Sequence, residues 1–97
     1  MNNGVKILIT RYVPPEKEAA ALPLIHALHT MAMQQPGYLS GEALRNLDDP
    51  NETLIISFWS SLADWENWVS SPKRADLQGR ISEVLGDETR YKIYQYR

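Results

Sequence analysis

Two short runs, Ile7-Leu8-Ile9 and Leu54-Ile55-Ile56, put apolar side chains on consecutive positions of segments that otherwise read as β-strands. Successive side chains of a strand point to opposite faces, so a sheet wetted on one side alternates apolar and polar residues. These runs do not alternate, and both faces of their sheet are expected to be covered. The chain has 97 residues, which makes one domain that buries only somewhat over ~60% of its unfolded surface. The simplest cover for a second face is another copy of the chain. A homodimer is the expectation.

The remaining elements follow from periodicity and punctuation. Val5–Tyr12 is β-branched and lies between Gly4 and Pro14-Pro15, a strand. From Glu16 to Gln35 the residues Ala21, Leu24, Ile25, Leu28, Met31 and Ala32 recur at helical spacing, and Pro23 falls on roughly the opposite face. Tyr38–Leu47 and Thr53–Trp59 read as strands joined by a turn at Asp48-Asp49-Pro50-Asn51-Glu52. Ser61, with Asp64 three residues on, caps a short helix through Val69. Ser71-Pro72 opens another, with Leu77, Ile81, Val84 and Leu85 as its stripe and Gly86 as its stop. Thr89–Tyr96 is the last strand. The fold class is α+β: a single domain over residues 1–97 with the order βαββαβ, the ferredoxin-like pattern on an antiparallel sheet.

Composition excludes several functions. A net charge of −2 without a basic patch suits no nucleic acid, and the absence of cysteine removes thiolate chemistry and thiolate metal sites. The longest apolar run, Ala19 to Ile25, is far short of a membrane span and is interrupted by Pro23. No signal-peptide pattern precedes the first strand, so a cytoplasmic location is expected.

Three stretches carry a resemblance: Gln35-Pro36-Gly37-Tyr38-Leu39-Ser40-Gly41-Glu42, Asn46-Leu47-Asp48-Asp49-Pro50-Asn51, and Ile56-Ser57-Phe58-Trp59-Ser60-Ser61. Together they resemble the antibiotic biosynthesis monooxygenase (ABM) domain family, from about Val5 to Tyr96. The resemblance implies a dimeric α+β barrel, in which two ferredoxin-like sheets pack face to face. Among the activities it implies is oxygenation of a small phenol- or quinone-like aromatic by molecular oxygen, with no cofactor and no metal.

Carried over residue by residue, the resemblance makes Trp59, at the end of the third strand, a pocket-lining residue. Trp65 stands where such oxygenases usually have a tyrosine, which keeps the wall and loses the hydroxyl, and Ile55 stands where an asparagine is expected. Both departures count against an anthrone-type substrate. Trp68 matches a tryptophan of the haem-degrading branch, but the iron-binding histidine ten residues on is Gln78 here. Glutamine is no axial haem ligand, so haem degradation is disfavoured.

All three tryptophans lie within ten positions, and they are either core or the wall of a site for a flat ligand. Trp59, Trp65 and Trp68 are the substrate-binding candidates. Trp65, Trp68, Val69 and Leu62 share one helical face. No catalytic residue is identified outright. His29, at the edge of the helical stripe, is the candidate base that would ionise a phenol. His26 and His29 could share a metal only with a third ligand that the sequence does not supply, and Asp48, Asp49 and Glu52 are accounted for by turn chemistry. Arg11 and Arg45 project from strands and could each orient an oxyanion or pair across the dimer. Tyr94 and Tyr96 share a face suited to the dimer contact. A non-catalytic dimeric ligand-binding or regulatory module of the same fold is the alternative reading.

Overall fold

The computed structural model describes residues 3–86 and 88–97. Its elements are β1 (Val5–Tyr12), a 3-10 turn at Pro15–Lys17, α1 (Glu18–Met33), β2 (Tyr38–Arg45), β3 (Glu52–Trp59), α2 (Leu62–Val69), α3 (Pro72–Leu85) and β4 (Arg90–Gln95). The four strands form one antiparallel sheet in the order β2-β3-β1-β4. This is the ferredoxin-like arrangement that the order of elements predicts.

Register decides which half of each apolar run meets the helices. In β1, Val5 and Ile7 are buried beneath the helices, and Ile9 packs against the same core. They stand opposite Trp59, Ser57 and Ile55 of β3. The intervening Leu8, with Leu54, Ile56 and Phe58 of β3, points to the other face of the sheet and is partly exposed. The α1 stripe buries Ala21, Ile25 and Leu28, and Ile81 of α3 completes the core. Pro23 sits on the exposed side of α1, where the helix runs through it unbroken.

Helix ends are capped as the sequence predicts. Ser61 Oγ accepts from the Asp64 amide at 3.1 Å, and Ser71 Oγ accepts from the Arg74 amide at 3.4 Å. Gly86 stops α3 at φ +83°. In the turn between β2 and β3, Asn46 Oδ1 accepts from the amides of Asp48 and Asp49, and Asn46 Nδ2 donates to Glu52 at 2.6 Å. One expectation needs correcting. Leu62 does not join the tryptophan face of α2 but is 42% exposed, at the first residue of the helix, where no preceding turn covers it. Among the described residues, no helix is long and apolar enough to cross a membrane.

Candidate functional site

The connection from β3 to α2 is two residues long, Ser60 and Ser61, and it brings Trp59 and Trp65 together. The Ser60 amide donates to the Gly37 carbonyl at 2.7 Å, and both serine hydroxyls donate to the Asp64 carboxylate. Gly37 has φ +86°, and a side chain there would run into Asp64. The start of β2 and the start of α2 are thereby clamped together.

From this clamp a line of rings crosses the domain. His29 meets Tyr38 edge-on at 6.3 Å between centroids, Tyr38 meets Trp59 at 5.4 Å, Trp59 meets Trp65 at 5.7 Å, and Trp65 meets Tyr91 at 6.2 Å. The first three contacts are T-shaped, the geometry favoured by the ring quadrupoles. Gly41 lies beneath Tyr38, and a β-carbon at that position would strike the tyrosine hydroxyl. Glycine there lets Tyr38 lie down against the sheet.

A cavity opens between the sheet and α1, α2 and α3. Its apolar side is formed by Ile9, Leu28, Ile55, Trp65 and Trp68, and its polar groups are His29, Tyr38, Ser57, Arg11, Arg74 and Tyr91. It offers about 30 Å³ to water-sized groups, within about 420 Å³ of unfilled space that includes open solvent. That room suits about two waters, so a planar ligand must displace part of the lining. Tyr91 is exposed and Arg74 partly so. Arg74 Nη2 donates to the Tyr91 hydroxyl and its guanidinium lies 5.4 Å from the Tyr91 ring, and that ring stands on the exposed edge strand β4.

Of the predicted site residues, Trp65, Trp68 and His29 line the cavity. Trp59 is 1% exposed and stands behind Trp65 and Tyr38, with its Nε1 donating to Ser57 Oγ at 3.1 Å. It supports the wall without forming its surface. His26 lies on the exposed side of α1, away from the cavity. Burial holds His29 below its ordinary pKa, and neighbouring His26 pushes the same way, so the imidazole is neutral and able to accept a proton at neutral pH. Burial raises the Tyr38 phenol.

The polar end was less visible in the sequence. Arg11 is 2% exposed, and its Nη2 donates to Gln78 Oε1 at 3.0 Å. The Tyr91 hydroxyl donates to the same oxygen at 3.2 Å, while Gln78 Nε2 donates to Thr89 at 3.2 Å and to Ser82 at 3.4 Å. Gln78 therefore occupies the haem-ligand position as the hub of a hydrogen-bond network. Arg11 Nε is buried without a partner. Burial lowers the Arg11 pKa from its ordinary value, with Arg74 adding to the shift and Tyr91 opposing it. The guanidinium stays charged at neutral pH.

No curated protein matches the chain. Solved structures do. A conserved protein of Methanosarcina mazei Go1 superposes with a TM-score of 0.88 at 19% identity, covering 99% of this chain and 95% of the other. SnoaB, a cofactor-independent oxygenase from Streptomyces nogalater, superposes with a TM-score of 0.84 at 15% identity, covering 98% and 94%. At such identities the likeness is one of fold. The sequence itself matches the antibiotic biosynthesis monooxygenase family over residues 4–80, the span from the first strand into α3 that builds the tryptophan clamp. The chain belongs to the antibiotic biosynthesis monooxygenase family.

Proposed function

We propose that the protein is a cytoplasmic, homodimeric monooxygenase that oxygenates a small phenol- or quinone-like aromatic with molecular oxygen and no cofactor. The observation that carries this reading is that His29, held neutral by burial, lines the same cavity as Trp65 and Trp68. His29 takes the phenolic proton, and the electron-rich anion then reacts with oxygen. For a hydroquinone, a ring C–H becomes C–OH while the ring is oxidised to the quinone, so one oxygen atom enters the product, the other leaves as water, and the substrate supplies the electrons. The protein's part is positioning, deprotonation and exclusion of water.

Homodimerisation is supported by Leu8, Leu54, Ile56 and Phe58, which leave the helix-free face of the sheet apolar. Lys6 lies 4.6 Å from the Phe58 ring at the edge of that patch. Haem degradation is not proposed, because Gln78 is not a haem ligand and is committed to Arg11, Tyr91, Thr89 and Ser82.

The test is oxygen uptake with dihydroxylated aromatics and anthrones, with labelled oxygen traced into product by mass spectrometry. Incorporation of one labelled atom supports the reading. Tight binding with no uptake across the panel would instead establish a ligand-binding module, the reading favoured by the apolar Ile55 and Trp65 at positions where polar groups are expected.

A further inference from the structure

We propose that the polar end of the cavity is a subsite for a carboxylate carried on the aromatic substrate, held by Arg11 and Arg74. This rests on the cavity being the substrate site and adds the class of substrate, an aromatic acid.

Two guanidinium groups, from β1 and α3, line one small cavity. Among the described residues neither is paired with a carboxylate, and the ion pair that α3 does make, Arg80 with Asp76 at 3.5 Å, is on its exposed flank. The charged and polar groups around Arg11 are Arg74, Tyr91 and Gln78. None of them carries a carboxylate. Burying a cation without a counterion is costly, and the cost is ordinarily offset by a paired anion. Arg11 Nε, the buried donor without a partner, is free to bind one.

Guanidinium is the group best matched to carboxylate, because its planar donors form charge-assisted bonds to both oxygens. Gln78 Oε1 accepts from both Arg11 and the Tyr91 hydroxyl, so the receptor is organised before the ligand arrives. Arg74 is partly exposed, and among the described residues its guanidinium engages the Tyr91 ring and hydroxyl. It can turn from Tyr91 to the incoming anion as the ring of the ligand takes its place against Trp65 and Trp68.

The experiment compares 2,5-dihydroxybenzoate with 2,5-dihydroxybenzamide, which has the same ring and shape without the charge, by titration calorimetry on the wild-type chain, Arg11→Gln and Arg74→Gln. Circular dichroism checks that each variant is folded, and Arg74→Gln, at a partly exposed position of α3, carries the test if Arg11→Gln does not fold. The acid is expected to bind at least about tenfold more tightly than the amide, as a hydrogen bond to a charged group warrants. The preference should fall below about threefold in either variant and weaken in high salt. Equal binding of acid and amide overturns the carboxylate subsite and leaves the aromatic pocket standing. An acid preference unchanged in both variants places the anion elsewhere and overturns it too. Failure of both compounds to bind overturns the pocket itself and this subsite with it.

Discussion

Gln78 Oε1 accepts from Arg11 Nη2 at 3.0 Å, joining α3 to β1 across 67 positions of sequence. The partner of a deeply buried cation is thus a neutral amide, which orients the charge and leaves it uncompensated. Such a cation is retained at a cost to stability. Arg11→Met, which fills the same space without charge, is expected to leave folding stability unchanged or raise it by about 1–2 kcal/mol. Gln78→Ala strands the guanidinium and should lower stability by about 1–3 kcal/mol. Urea unfolding of the two variants decides, and a clear loss of stability in Arg11→Met would show that Arg11 is structural.

Trp59 and Trp65 separate by their surroundings. Trp59→Phe keeps most of the packing but strips Ser57, itself 5% exposed, of its indole donor, at about 1–3 kcal/mol. Trp65→Ala removes both wall and core and should lower stability by about 3–5 kcal/mol, with loss of aromatic ligand binding as well. Trp59→Phe should keep that binding. Denaturation curves beside ligand titrations on the two variants measure the difference, and equal loss of binding would place Trp59 in the surface of the site.

His29 links activity to pH in one direction. Its pKa in the folded protein lies below the ordinary 6.5, so the unfolded chain takes up its proton first as the solution is acidified. The His29 contribution to stability is complete above pH 6.5 and is lost as pH falls through the lower, folded value. The rate of the reaction should follow the same limb, level at neutral pH and declining only below 6.5. A pH–rate profile whose acid limb is unchanged in His29→Gln would remove His29 as the base.

Leu8 and Ile7 are neighbours with opposite fates. Ile7 is fully buried under the helices, whereas Leu8 lies in the helix-free face. Leu8→Asp should give a folded single chain, and Ile7→Asp should not fold, since an unpaired buried charge is severely destabilising. Sedimentation velocity beside circular dichroism resolves the two. A wild-type protein that sediments as a single chain at micromolar concentration would end the dimer proposal.

Gly37 tests the clamp. Its φ of +86° and the adjoining Asp64 leave no place for a β-carbon. Gly37→Ala should cost about 1–2 kcal/mol from the left-handed backbone alone, with more from displacing Asp64. The thermal midpoint measures it, and an unchanged midpoint would show that the segment relaxes freely.

Much of the architecture was legible because this chain punctuates its elements strongly. Gly37, Ser61, Ser71-Pro72 and Gly86 bound helices and strands where they were expected, and the α1 stripe named its own buried residues. The site was legible only in part. Trp65 and Trp68 declared themselves by aromatic density and helical spacing, but whether Trp59 forms surface or support depends on Tyr38 lying in front of it, and Tyr38 takes that place because Gly41 leaves room beneath it. The polar end assembles Arg11, Arg74, Gln78 and Tyr91 from three separate elements, and no local spacing announces such a convergence. One signal was present. Arg11 continues the period-two set of Val5, Ile7 and Ile9, and that alternation points it to the buried face.

The edge-on packing of Trp59 and Trp65 also gives the molecule a built-in optical reporter. Their ring planes are inclined at 65° with centroids 5.7 Å apart, close enough for the two indole transitions to couple and far enough from parallel for the coupling to be chiral. Coupling of their strong far-ultraviolet transitions should give a two-signed circular dichroism signal. A ligand that shifts Trp65 should change that signal without a label, so entry into the cavity can be followed in the unmodified protein.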